Sequence, residues 1–213
     1  MSQGTRIDVS VDKARTVVKV ETVATSLVAG HQRDAALRTL VAAFENDPLE
    51  RWMYPTSEQY QQCFPRFLMA LGGRAFEAGT AWGTSDLSAI ALWLPPSMDP
   101  DGEAIAAVLT ETVSPDKHPD LQLLADEIAR FPPDYPHWYL AWFGVEPATQ
   151  GVGVGSRLME LCLKFVDADH RPAYLESSNP RNVSFYERHG FVVIGRTQVG
   201  SGPPLTFMLR SGR

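Results

Sequence analysis

The stretch Gln150-Gly151-Val152-Gly153-Val154-Gly155 constrains this chain more than any other. Before it lies the apolar, aromatic run His137-Trp138-Tyr139-Leu140-Ala141-Trp142-Phe143-Gly144-Val145, which reads as a strand. After it lies the amphipathic run from Ser156 to Val166, which reads as a helix. Strand, glycine-rich turn and helix together form the arrangement in which backbone N–H groups converge on an anion at a helix start. Glycines also mark plain tight turns, so the loop alone leaves cradle and turn as equal readings. A dinucleotide fingerprint fails, because its third glycine would fall at Ser156. A P-loop fails too, because no Gly-Lys-Ser/Thr follows.

The rest of the pattern supplies the frame. Strands are predicted over 17–23, 80–84, 89–94, 173–176, 191–199 and 205–209, besides the one that starts at His137. Helices are predicted over 34–44, 59–78, 101–112, 119–130 and 181–189. Asn46-Asp47-Pro48 ends the first helix, since the residue before proline is pushed out of the α region. Pro65 predicts a kink or a division of the second helix. Alternating elements in the C-terminal half point to an α/β (α+β) chain, a mixed sheet with helices on both faces.

Composition narrows the function classes. A net charge of −6 with no Lys/Arg run argues against duplex nucleic acid. No apolar run approaches the roughly 18 residues that span a bilayer, and the first residues lack the apolar core of a signal peptide, so the expected location is the cytoplasm with no membrane partner. The two cysteines, Cys63 and Cys162, form no CxxC pair, and no His/Cys cluster suggests a metal. A bridge between the two is left open, with Cys162 placed on the core side of its helix.

The flanks carry a resemblance. Gln150, Gly153 and Gly155 match the pattern Gln/Arg-x-x-Gly-x-Gly/Ala, and Asn182-Val183-Ser184-Phe185-Tyr186-Glu187-Arg188-His189-Gly190-Phe191 matches an Asn upstream of Tyr-x-x-x-Gly-Phe. These two motifs, in this order, resemble the signatures of the GCN5-related N-acetyltransferases (GNAT). Within that superfamily the likeness is nearest to the puromycin N-acetyltransferase group, carried by Trp138-Tyr139-Leu140-Ala141, Leu175-Glu176-Ser177-Ser178 and Pro180-Arg181-Asn182. The resemblance implies the GNAT fold: a mixed, mostly antiparallel central sheet of about six to seven strands flanked by helices, with the strand before the turn splayed from its neighbour. Residues 1–16, which lie outside the resemblance, read as a loose tail; the resemblance implies a single acetyltransferase domain over 17–213, with an acceptor-side half (17–136) and an acetyl-CoA-binding half (137–213).

It also implies roles. The acetyl donor is acetyl-CoA, with no metal. Backbone groups of Gln150, Gly151, Val152, Gly153, Val154, Gly155 and Ser156 would cradle its pyrophosphate, helped by the helix dipole. The strand end Phe143-Gly144-Val145 would pair with the pantetheine amides. Tyr186, a phenol protonated at neutral pH, would protonate the departing thiolate; its plain alternative is a packed core tyrosine. Asn182, one helical turn earlier, would bond the cofactor, unless it or Asn179 serves as a helix cap. Glu176 is the first choice for general base, ahead of Glu146 and Asp47, with a backbone-bonded structural carboxylate as the alternative. Trp52 and Tyr54 are expected to face the acceptor. The implied activity is direct transfer of acetyl to a primary amine of a small molecule. Peptide acetylation and CoA sensing without turnover remain as alternatives, and a homodimer is left open.

Overall fold

The computed structural model describes residues 24–212. The tail expected over 1–16 and the strand expected over 17–23 lie outside the described residues. Along the chain come β1 (Thr25–Leu27), α1 (Arg33–Phe44), α2 (Pro48–Met53), α3 (Ser57–Gly72) and α4 (Arg74–Glu77). The hairpin β2 (Ala81–Thr84) and β3 (Ala89–Leu94) follows, then α5 (Gly102–Thr112), α6 (His118–Ile128) and β4 (Trp138–Val145). The last part comprises α7 (Val154–Asp167), β5 (Ala173–Ser177), α8 (Val183–Arg188), β6 (Val192–Thr197) and β7 (Leu205–Arg210). The strands form one seven-stranded sheet in the order β1-β2-β3-β4-β5-β7-β6. Every neighbouring pair is antiparallel except β4 and β5, which run parallel.

That parallel pair is short. Its register is Trp138↔Ala173 and Tyr139↔Tyr174. Beyond Tyr139 the two strands part, and among the described residues the β4 edge from Leu140 to Val145 has no partner in β5. The splay expected for the strand before the glycine turn is therefore present.

A bulge in β4 sets which side chains face which core. Trp142 pairs with Leu92 and Leu140 with Trp93, so Ala141 is an extra residue on β4. Strict alternation would put Trp142 beside Trp138 and Leu140, which pack with Leu158, Met159 and Cys162 of α7. The extra residue turns Trp142 to the opposite face, into the core built by α1 and α3. There the rings of Phe44, Phe64 and Phe67 meet it edge-on at 4.9, 5.4 and 5.8 Å. Its Nε1–H donates to the Leu68 carbonyl at 3.0 Å, so the buried indole leaves no donor unpaired.

Two helix expectations change. The helix with Pro65 inside runs unbroken from Ser57 to Gly72, and the division falls at Gly73 instead. The missing proline N–H costs one intrahelical bond. Burial of Tyr60, Phe64, Phe67 and Leu68 along one face holds the helix through it. The residues after Asn46, read only as a stop, begin a new helix: Asp47 caps it by accepting from Leu49 N–H at 3.0 Å, and Pro48 takes the first turn, where a missing N–H costs nothing.

The segment 101–130 also finds its place. Ile105 and Leu109 of α5 pack on the α1/α3 core, and Leu124 and Ile128 of α6 join Tyr174 and Phe207 on the sheet. Both cysteines are free, and Cys162 is buried.

Candidate active site

Where β4 and β5 part, the sheet opens onto a cavity of about 640 Å³. Its wall includes Phe143 from β4, Glu176 at the end of β5, and Asn182 and Tyr186 before and within α8. Glu50 and Met53 of α2, and Leu109 and Leu121 from the two helices of the 101–130 segment, complete it. Four of the expected site residues thus share one surface, although they come from three elements.

Tyr186 is buried, with its ring edge-on to Phe185 and Phe191 at 5.3 and 6.0 Å. Burial first, and then the nearby Asp47 carboxylate, push its phenol above the ordinary range. It stays protonated at neutral pH, as a proton donor must.

Glu176 accepts a hydrogen bond from the Tyr139 hydroxyl at 2.7 Å. The Tyr174 hydroxyl is close enough to couple with the same carboxyl, yet forms no hydrogen bond of normal geometry. Burial raises the Glu176 carboxyl above the usual carboxylate range, and the two tyrosines oppose part of that rise. A raised pKa makes the ionised carboxylate a stronger base, which is the direction a general base needs. Asp47 shows the same balance: burial raises it, while the Ser178 hydroxyl and the Leu49 N–H hold it back.

The two asparagines separate their roles. Asn179 Oδ1 accepts from Arg181 N–H at 3.1 Å and so caps the turn over Pro180–Asn182. Asn182 makes no side-chain cap and lines the cavity.

The glycine turn lies beside the cavity. None of residues 150–156 is in the cavity wall. Gly151 and Gly153 have φ of 78° and 90°, the left-handed region that disfavours a side chain. Gly153 is the N-cap of α7, and no side chain caps that helix start. The Gln150 side chain donates from Nε2 to the Val145 carbonyl at 3.0 Å, which ties the loop to the end of β4. A Cβ at Gly155 would stand 3.0 Å from Val145 Cγ2 and 3.6 Å from the Phe143 ring, so helix start and strand end meet closely. Gly144 faces the other way, against Leu40 and Ala43 of α1. An uncapped helix start and an unpaired strand edge, side by side, fit an anionic group followed by an extended amide-bearing arm.

Trp52 and Tyr54, expected to face the acceptor, are not in the cavity wall. Trp52 Nε1–H donates to Ser201 Oγ at 3.1 Å, and Lys117 lies 5.4 Å over its ring. Tyr54 is fully buried, with its hydroxyl 3.0 Å from Thr112. The same short helix instead gives the cavity Glu50 and Met53, which no sequence motif marks. Asp47-Pro48 was the available signal: read as the start of a helix, it predicts which side chains share its inner face. Among the described residues, no group of three His, Cys, Asp or Glu is placed to hold a metal ion, and no helix is long and apolar enough to cross a membrane.

Comparison with known proteins adds to this geometry. The acetyltransferase (GNAT) family model matches residues 100–191. An uncharacterized N-acetyltransferase of Schizosaccharomyces pombe is 27% identical over 198 residues, covering 82% of this chain and 78% of that protein. The crystal structure of histone acetyltransferase HPA2 and related acetyltransferase from Corynebacterium glutamicum gives a TM-score of 0.63 at 22% identity, over 90% of this chain and 97% of that one. Arylalkylamine N-acetyltransferase 2 from Aedes aegypti gives 0.64 at 12% identity, over 91% and 100%. These two likenesses are of fold.

Proposed function

We propose, from the premise that this chain is an acyltransferase of the GNAT superfamily, that it moves the acetyl group of acetyl-CoA directly to a primary amine of a small molecule. One observation carries the reading: Phe143, Glu176, Asn182 and Tyr186 meet in the wall of one cavity at the parting of β4 and β5. Acetyl-CoA would supply the thioester as the acyl donor. The start of α7, from Gly151 to Ser156, would hold its pyrophosphate, and the free edge of β4 near Phe143 to Val145 would hold its pantetheine arm. Asn182, free of a capping role, would donate to that arm.

Glu176 takes the proton that the amine must lose, held ready by Tyr139. Tyr186 supplies a proton from its phenol to the departing sulfur. Neither signature motif contains a cysteine, which favours direct attack over an acetylated enzyme.

A cavity of about 640 Å³ suits a small molecule better than a peptide in extended form. The likeness of Leu175-Glu176-Ser177-Ser178 to the puromycin N-acetyltransferase group supports the same acceptor class. The 17–136 half contributes the acceptor side through Glu50 and Met53, and the 137–213 half the donor side. The cytoplasm is the proposed location. The test is thiol release from acetyl-CoA with a panel of primary amines and of peptides. Turnover on at least one small amine is expected; turnover on peptides alone, or CoA binding without any turnover, would overturn the proposal.

A further inference from the structure

Glu50 stands apart from the other carboxylates of the site. It is 2% exposed, it lines the cavity, and its Oε2 has no hydrogen-bond partner. Asp47 has the Leu49 N–H and the Ser178 hydroxyl, and Glu176 has the Tyr139 hydroxyl. A buried acceptor left unmade is costly, so it persists where a bound group completes it. The wall nearby is apolar, with Met53, Phe67, Leu109 and Leu121 among its residues. Asp47 lies close enough to act on Glu50 through its charge. A buried carboxyl in an apolar wall, with the Asp47 charge acting on it from outside that wall, selects a donor that carries positive charge.

We infer that Glu50 binds the ammonium group of the acceptor, and that the acceptor is an amine with an apolar, aromatic or alkyl body. This rests on the acetyl-transfer reading and deepens it by naming the acceptor's chemistry. Burial and Asp47 hold the Glu50 carboxyl well above its ordinary range, and a bound cation relieves that cost. Glu50 acts here as a substrate-binding residue; the proton transfers belong to Glu176 and Tyr186.

The probe pair is 2-phenylethylamine and 2-phenylethanol, which share a body and differ in charge. Binding of each to the full chain is measured by calorimetry with CoA present. The amine is expected to bind at least about tenfold more tightly than the alcohol. Glu50→Gln is expected to erase that preference while leaving CoA binding unchanged, and Glu50→Asp to keep it. A role confined to folding would lower both affinities together and leave the ratio intact, which would overturn the inference. If Glu50→Gln does not fold, the wild-type ratio still decides: equal binding of alcohol and amine overturns it. Charge-selective binding without acetyl transfer would sink the proposed function and leave Glu50 standing, whereas turnover with no dependence on Glu50 would do the reverse.

Discussion

Tyr139 on β4 donates its phenolic hydrogen to Glu176 on β5 across 2.7 Å, just past the last pair that joins the two strands. This bond closes the apex of the opening and holds the carboxylate towards the cavity. It also favours the ionised form of Glu176 against the burial that disfavours it.

Tyr139→Phe therefore has a signed effect. Loss of the donor lets burial raise the Glu176 carboxyl further, so the acidic limb of the kcat/KM profile for an amine moves to higher pH. Stability falls by about 1 kcal/mol, the usual net worth of such a bond. A pH–rate profile checks it; an unmoved acidic limb would remove Glu176 from the base role.

Gly153 tests the anion cradle. Its φ of 90° strains any side chain, while a Cβ there meets no atom of the chain within 4 Å. The space is open, so a side chain would collide only with what the loop holds. Gly153→Val is expected to cost about 1–2 kcal/mol of stability through backbone strain and to weaken CoA binding by far more. Thermal melts with and without CoA separate the two effects, and retained CoA affinity would show that the loop is not the cradle.

Gly72 reverses a common rule. In a helix, glycine to alanine normally stabilises by up to about 1 kcal/mol. Here the added Cβ would overlap the Trp142 ring, standing 2.9 Å from Nε1. Gly72→Ala should destabilise by about 1–3 kcal/mol, the cost of overpacking. Denaturant unfolding gives the sign directly.

The two thiols should differ. Cys63 is partly exposed and Cys162 buried, so a thiol reagent labels one cysteine in the native chain and two in denaturant. Burial pushes the Cys162 thiol up to about 12 from an ordinary value near 9. A folded pKa above the unfolded one gives stability that is complete below about pH 9 and is lost as pH rises towards 12. Cys162→Ala, whatever its cost at neutral pH, should lose less than the parent over that interval.

How far the sequence disclosed the site depends on which residues are asked about. Glu176, Asn182 and Tyr186, which meet in the cavity wall, are marked in the sequence by a fixed spacing inside one motif or by a strand end; the glycine turn is marked in the same way and lies beside that wall. The fold class followed from alternating elements, and the splay from the resemblance. The acceptor side was not legible in the same way. Trp52 and Tyr54 stand out in the sequence only as aromatics after a helix, but α2 begins at Asp47-Pro48 and carries Glu50 and Met53 to the cavity instead. The bulge at Ala141 leaves no mark in an all-apolar run, yet it decides that Trp142 faces α3 and not α7. Pairings across the fold, such as Tyr139 with Glu176, have no local signal at all.

Tyr186→Phe is the sharpest test, because it removes only the phenolic hydroxyl and almost no volume. For an amine acceptor kcat should fall by about 100-fold or more, the scale of a lost general acid, with acetyl-CoA affinity unchanged. Unchanged turnover, or an equal loss of turnover and affinity, would contradict it.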